Sequence, residues 1–184
     1  MKIKHNYLIS VVLAFTVFSC ENSDDVTNEE KTSRTGTVNA IGEISNLNNE
    51  LMLKLVNGVR ASGCECRDKE GNITKMPPAS PLEWNDKLTL AAKKHSEDMA
   101  LNNYFSHDNL KNETVGDRVT LVGYKWSAAA ENIARGQKTE KEVFDGWLNS
   151  YGHCKNIINS TVKEMGVARS AGDTPYWTQV FASK

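Results

Sequence analysis

The chain has 184 residues, of which 39% are hydrophobic and 24% charged, and its 22 Lys and Arg against 23 Asp and Glu leave a formal net charge of -1 at pH 7. With no excess of positive charge to meet a polyanion, nucleic acid is not expected as a partner. Once a non-globular N-terminus is set aside, the length suits one domain, of which roughly two thirds of the unfolded surface can be buried.

Lys2, Lys4 and His5 precede an apolar run of 12 residues, Tyr7 to Phe18, interrupted only by Ser10 and Thr16 and followed by Ser19 and Cys20. A basic start, a short apolar stretch and a small residue make a secretory signal. The run is shorter than the about 20 residues that cross a bilayer as a helix, so residues 1–19 are expected to be cut off. The Ser19-Cys20 junction resembles the lipobox of bacterial lipoproteins, with Phe18 departing from the small residue usual there. That resemblance makes Cys20 the lipidated first residue and the membrane a partner through the anchor. Residues 20–42 are dominated by Ser, Thr, Asn, Asp and Glu and read as a flexible tether, because they cannot bury enough apolar surface to offset ordering entropy. Ser23-Asp24-Asp25 resembles the signal that routes some Gram-negative lipoproteins to the cell surface, and plain linker composition is the alternative. The expected location is exported, as an outer-membrane or surface lipoprotein, with a periplasm-facing one as the alternative.

The remaining residues, 43–184, read as one domain. Ile44, Leu47, Leu51, Leu55 and Val59 recur at helical spacing and predict an amphipathic helix over 44–61, ending near Gly63. Residues 64–81 contain Gly71, Pro77, Pro78 and Pro81 without apolar periodicity and read as a loop. Between Asn85 and Asn103, Leu88, Ala91, Ala92, His95 and Met99 share one helical face, which puts His95 in the packing rather than in a site. A shorter helix is predicted over 115–122. Thr139 with Glu142 forms a capping box, opening a helix that buries Val143, Phe144, Trp147 and Leu148 and runs to about Ser150. Residues 165–169 and 176–182 alternate as strands around Ser170-Ala171-Gly172-Asp173 and predict a hairpin. Helices first and strands last imply an antiparallel sheet covered by helices.

Six segments in order carry a family resemblance: Trp84–Met99, Phe105-Ser106-His107, Glu131-Asn132-Ile133-Ala134, Trp147–Ile158, Met165–Ala168 and Tyr176–Phe181. Together they resemble the bacterial form of the CAP superfamily, also called the SCP domain, of cysteine-rich secretory, antigen 5 and pathogenesis-related proteins. The resemblance implies an α+β fold, a three-layer α-β-α sandwich with a central antiparallel sheet, and a ligand cleft lined by histidines and acidic residues. Carried over by position, the cleft residues are His107, Glu131 and His153. Asn149 or Ser150 stands where many members have a second glutamate, so the acid and histidine tetrad is incomplete. The bacterial Ser-Pro-Gly-His-Arg pattern is also altered, with Tyr151 for the proline and Cys154 for the arginine.

Two neutral imidazoles with a carboxylate can hold zinc or another divalent metal, so His107 and His153 are the metal candidates, with weak binding expected and no cofactor required. The bland alternative is that His107, Glu131 and His153 merely hydrogen-bond one another and fix the loops. No Gly-x-Ser-x-Gly elbow is present, and the reading leans away from an enzyme. It favours an exported binding module for a small molecule, a glycan or a peptide; the alternatives are an extracytoplasmic hydrolase using His107, Glu131 and His153 as catalytic groups, and a structural or adhesive surface protein. With Cys20 lipidated, three cysteines remain in an oxidising compartment. Cys154 is expected to bridge to Cys64 or Cys66 and leave one thiol; a metal site of Cys64, Cys66, Cys154 and His153 is the rival.

Overall fold

The computed structural model describes residues 45–184, so the expected signal, the tether and Cys20 lie outside the described residues. Helix α1, Asn49–Ser62, starts where the Asn48 side chain accepts from the Leu51 amide and stops at Gly63, whose φ of 72° lies in the left-handed region. It buries Met52, Val56 and Arg60, one position round from the predicted stripe, and Leu51 of that stripe faces solvent. Gly63 also lies so close to the next segment that a Cβ there would come 2.5 Å from the Met76 carbonyl oxygen.

The predicted loop over 64–81 contains a hairpin, β1 Cys64–Arg67 with β2 Ile73–Met76, paired from Cys64↔Met76 to Arg67↔Ile73. Periodicity could not reveal it, because apart from Cys66 its side chains are wholly or partly open to solvent. The turn is held by Asp68, whose carboxylate accepts from the Asn72 amide at 2.8 Å.

The main sheet has strand order β3-β5-β6-β4, with β3 Glu83–Trp84, β4 Ala128–Arg135, β5 Glu164–Arg169 and β6 Tyr176–Ser183. Its two long pairings are antiparallel, including the predicted β5–β6 hairpin, while the two-residue β3 joins β5 in parallel. The sheet is thus antiparallel with one short parallel edge, because β3 enters from the opposite end to the hairpin.

Helices cover both faces, giving the expected α-β-α layers. On one face α1, α4 (Glu140–Leu148) and α5 (Tyr151–Ile158) pack Met52, Val56, Phe144, Trp147 and Ile157 onto Met165, Val167, Trp177 and Phe181. On the other, α2 (Asp86–Leu101) and α3 (Val115–Leu121) pack Leu88, Ala91, Ala92 and Val119 onto Ala168, Val180 and Ala182. The alternation Trp177, Gln179, Phe181 against Thr178, Val180, Ala182 sends successive β6 residues to opposite layers. Helix α2 sits directly on β5 at Gly166, where a Cβ would meet the Thr89 amide nitrogen at 2.1 Å. The predicted boundaries of α2, α3 and α4 agree with the structure, the predicted capping box of Thr139 with Glu142 is formed, and the structure adds a second one, Thr114 with Asp117, at the start of α3.

Arg60 ties the first layer together. It is fully buried, and its guanidinium donates to the carbonyls of Ser80, Ile157 and Asn159 at 2.7 to 2.9 Å. Three carbonyl dipoles from two segments take the place of a carboxylate partner, and burial lowers its pKa.

Candidate functional site around Glu131

Strand β4 is an edge of the sheet, and its side chains alternate between the two layers. Glu131 points to the α2–α3 side and Asn132 to the α5 side. The Asn132 side-chain amide donates to Gln179 Oε1 at 3.0 Å and to the His153 carbonyl at 3.3 Å. Asn156 of α5 donates to the Glu131 carbonyl at 3.1 Å and to Asn132 Oδ1 at 2.9 Å. These bonds lace α5, and so His153, to the strand that carries Glu131.

The Glu131 carboxylate is buried and both its oxygens are engaged. Oε1 accepts from His107 Nδ1 at 2.9 Å, and Oε2 accepts from the Arg118 guanidinium at 2.6 Å. Arg118, on α3 and itself buried, also donates to the Glu113 carbonyl at 2.6 Å. His95 closes the group from below: its Nε2 donates to the Ser106 carbonyl at 3.0 Å and lies 3.9 Å from Glu131 Oε1. Helix packing therefore does bury His95, as its spacing predicted, but it also sets the residue before His107 and brings the ring beside the carboxylate.

Electrostatics divides the three histidines. The hydrogen bond to Glu131 raises the pKa of His107 despite some burial. Burial lowers that of His153, and the nearby His107 lowers it further. Burial also lowers that of His95 more than Glu131 raises it. With Nδ1–H given to Glu131, His107 keeps Nε2 free on a ring whose side chain is 57% exposed.

The structure brings His107 and Glu131 into contact, and strand β4 links them to His153. It does not bring Asn149 and Ser150 to them. These two form the junction of α4 and α5 and face a separate hollow with Arg67, Asp68, Lys69 and Glu70 of the hairpin turn. Arg118, Asn132 and Asn156 were missed, since an arginine in a short helix and amides beside the motif residues carry no distinctive spacing. A cavity of about 400 Å³ between α2, α3 and the loop joining them shares His95 and Arg118 with the site and is rimmed by Leu110 and Leu121.

A second cluster holds the cysteines. Cys66 and Cys154 are joined as a disulfide, and Cys64 is the free thiol, its Sγ 3.6 Å from that of Cys154. Cys66 is thus the partner in the expected bridge. Among the described residues, only Cys64, Cys66 and Cys154 converge as three or more metal-type donors within 4.8 Å, and the disulfide already occupies two of them. His107, Glu131 and His153 do not close to that spacing.

Residues 53–181 match the cysteine-rich secretory protein family, CAP. The chain belongs to this family. Over 104 residues it is 38% identical to the uncharacterized protein YkwD of Bacillus subtilis, a stretch covering 56% of this chain and 40% of that one. It is 39% identical over 103 residues to the uncharacterized membrane protein YlbC of the same organism, covering 56% of this chain and 29% of that one. In structure the CAP domain is similar to an extracellular SCP-domain protein of Bacillus anthracis, with 28% identity and a TM-score of 0.63 over 88% of this chain and 45% of that one. The match thus spans less than half the length of each of these relatives. Among the described residues of this CAP domain, no helix is long and apolar enough to cross a membrane.

Proposed function

We propose that this CAP protein is an extracytoplasmic binding module, anchored to the membrane through Cys20, whose ligand cleft is built on His107, Glu131 and His153 and performs no catalysis. One observation carries the reading: both oxygens of Glu131 are committed, one to Arg118 and one to His107. Each oxygen keeps a second lone pair, but a general base must also reach a substrate proton, and the Glu131 side chain is only 2% exposed. Here the carboxylate is buried behind its two donors and serves to aim the His107 ring outward. Similarity to a bacterial protein described as extracellular supports the exported setting, and the signal-like N-terminus supports the anchor.

A carboxylate that takes one imidazole N–H and leaves the other nitrogen outward is the arrangement that supports a metal-bound histidine. His107 Nε2 and His153 would hold a divalent cation such as zinc, and the lack of a third converging donor makes the affinity modest. Asn149 and Ser150, on their separate hollow, are assigned no part in this cleft.

The test is a zinc titration by calorimetry on the full chain with its thiols blocked. Above the raised pKa of His107 about one zinc should bind per chain, weakening as pH falls through that pKa because protons compete for the imidazoles. His107→Ala or His153→Ala should remove most of the affinity; a double variant that binds zinc as wild type does would show that the histidines are not a metal site. Hydrolysis of peptides or cell-wall polymer that collapses in the Glu131→Ala, His153→Ala variant would overturn the non-catalytic reading.

A further inference from the structure

Cys64 and Cys66 lie two residues apart in β1, so both thiols leave the strand on the same face, towards Cys154 of α5. The Cys64 Sγ is 3.6 Å from the Cys154 Sγ and 3.9 Å from the Cys66 Sγ, with all three sulphurs within 4.8 Å of one another. Cys66 and Cys154 are fully buried, whereas Cys64 is partly open to solvent. One disulfide therefore has a third thiol in contact with both its sulphurs, and a thiolate so placed can attack a disulfide sulphur.

We propose that Cys64, Cys66 and Cys154 form a thiol–disulfide exchange site in which the bond migrates between Cys66–Cys154 and Cys64–Cys154. Cys64 gives its proton to solvent and its sulphur forms a bond to the Cys154 sulphur. The Cys66–Cys154 bond breaks, its electron pair leaves on Cys66, and Cys66 takes up a proton. The number of disulfides and thiols is unchanged, so no oxidant or reductant is consumed. Cys154 is the shared partner because a bridge between Cys64 and Cys66 would join Cα atoms held about 6.6 Å apart along a strand, at the upper edge of disulfide geometry.

Migration changes which thiol the solvent meets. With Cys66 bonded, the free thiol is the accessible Cys64; with Cys64 bonded, it is Cys66, which has no exposed surface. Either bond ties the hairpin to α5, beside His153, so the tether persists while the reactive thiol appears or disappears. Burial raises the pKa of Cys64, which lowers its thiolate fraction and so slows the exchange at neutral pH relative to mildly alkaline pH.

The test uses the full-length exported protein. Samples held at mildly alkaline pH for increasing times are quenched in acid, unfolded, labelled with N-ethylmaleimide and digested without reduction, and fragment ions locate the label. The label is expected on Cys64 and, in a share that rises to a plateau, on Cys66, with Cys154 unlabelled throughout. A label confined to Cys64 at every time overturns the exchange. In the Cys66→Ser variant the Cys64–Cys154 bond should form, with loss of labelling at both remaining positions. A variant that melts cooperatively yet carries two free thiols overturns the proposal as well, and if the variant does not fold, the wild-type time course decides alone.

Discussion

Replacing Glu131 by Gln changes little in shape and much in charge. The wild-type carboxylate accepts from His107 at 2.9 Å and from Arg118 at 2.6 Å, and both Glu131 and Arg118 are buried. An amide has one acceptor oxygen, so in Glu131→Gln one donor is kept and the other faces an NH2 group. Removing one partner of a buried ion pair costs about 3 to 5 kcal/mol. The bond that Gln can still make returns part of this, so the expected loss is about 3 kcal/mol, of which the exposed His107 bond contributes only a minor share after solvent screening. For a domain of this size that is about 10 °C in Tm. The pH dependence has a definite sign. Glu131 raises the pKa of His107 in the folded state, so that contribution is fully present below the unfolded value of about 6.5 and is lost as pH rises through the folded pKa. The gap in Tm between wild type and variant should therefore be wider below pH ~6.5 than in mildly alkaline buffer. His153 works in the opposite sense: its folded pKa is lowered, so it destabilises both proteins as pH falls below about 6.5 and largely cancels in the comparison. Thermal melts followed by circular dichroism across this range, with an NMR titration of His107, measure both effects. A variant melting within about 2 °C of wild type, with His107 titrating unchanged, would refute the account of Glu131 as the charge that holds Arg118 and aims His107.

Three further outcomes follow from the packing and the chain's chemistry. Gly166→Ala should lower stability by about 3 kcal/mol, because the new methyl meets α2 backbone at 2.1 Å; Gly146→Ala, with open space around it inside α4, should instead gain about 0.5 to 1 kcal/mol. Equal melting temperatures for the two would contradict the close contact of α2 with β5. Cys154→Ser removes every bridge to the hairpin across a separation of 88 residues and should cost about 4 to 5 kcal/mol in a denaturant titration; an unchanged midpoint would deny the disulfide its stabilising part. Cys20→Ala should abolish lipid labelling and membrane partitioning, and a variant still held firmly in the membrane fraction would end the lipoprotein reading.

Local chemistry made much of this fold legible in the sequence. The capping box at Thr139 is a few residues of self-contained hydrogen bonding, and the 3.6-residue recurrence through Leu88, Ala92, His95 and Met99 needs only one apolar layer to pack against. The β5–β6 hairpin was readable because its turn residues and alternation sit within one short stretch. The hairpin β1–β2 and strand β4 were not: the first is largely open to solvent and carries no apolar alternation, and the second is small residues around Glu131 and Asn132, shaped by its neighbours rather than by propensity.

The site divides along the same line. Sequence by itself singled out the candidate groups, His107, Glu131, His153 and the three cysteines of the domain, because imidazoles, carboxylates and thiols are the side chains able to bind a metal, move a proton or form a cross-link. Only the tertiary structure decided their partners. Arg118 arrives from α3 and His95 from α2 to meet a carboxylate on β4, and the alternation of β1 turns Cys64 and Cys66 towards α5. Those meetings depend on where packed layers place side chains far apart in the chain, and no spacing along the sequence encodes a distance across a sheet.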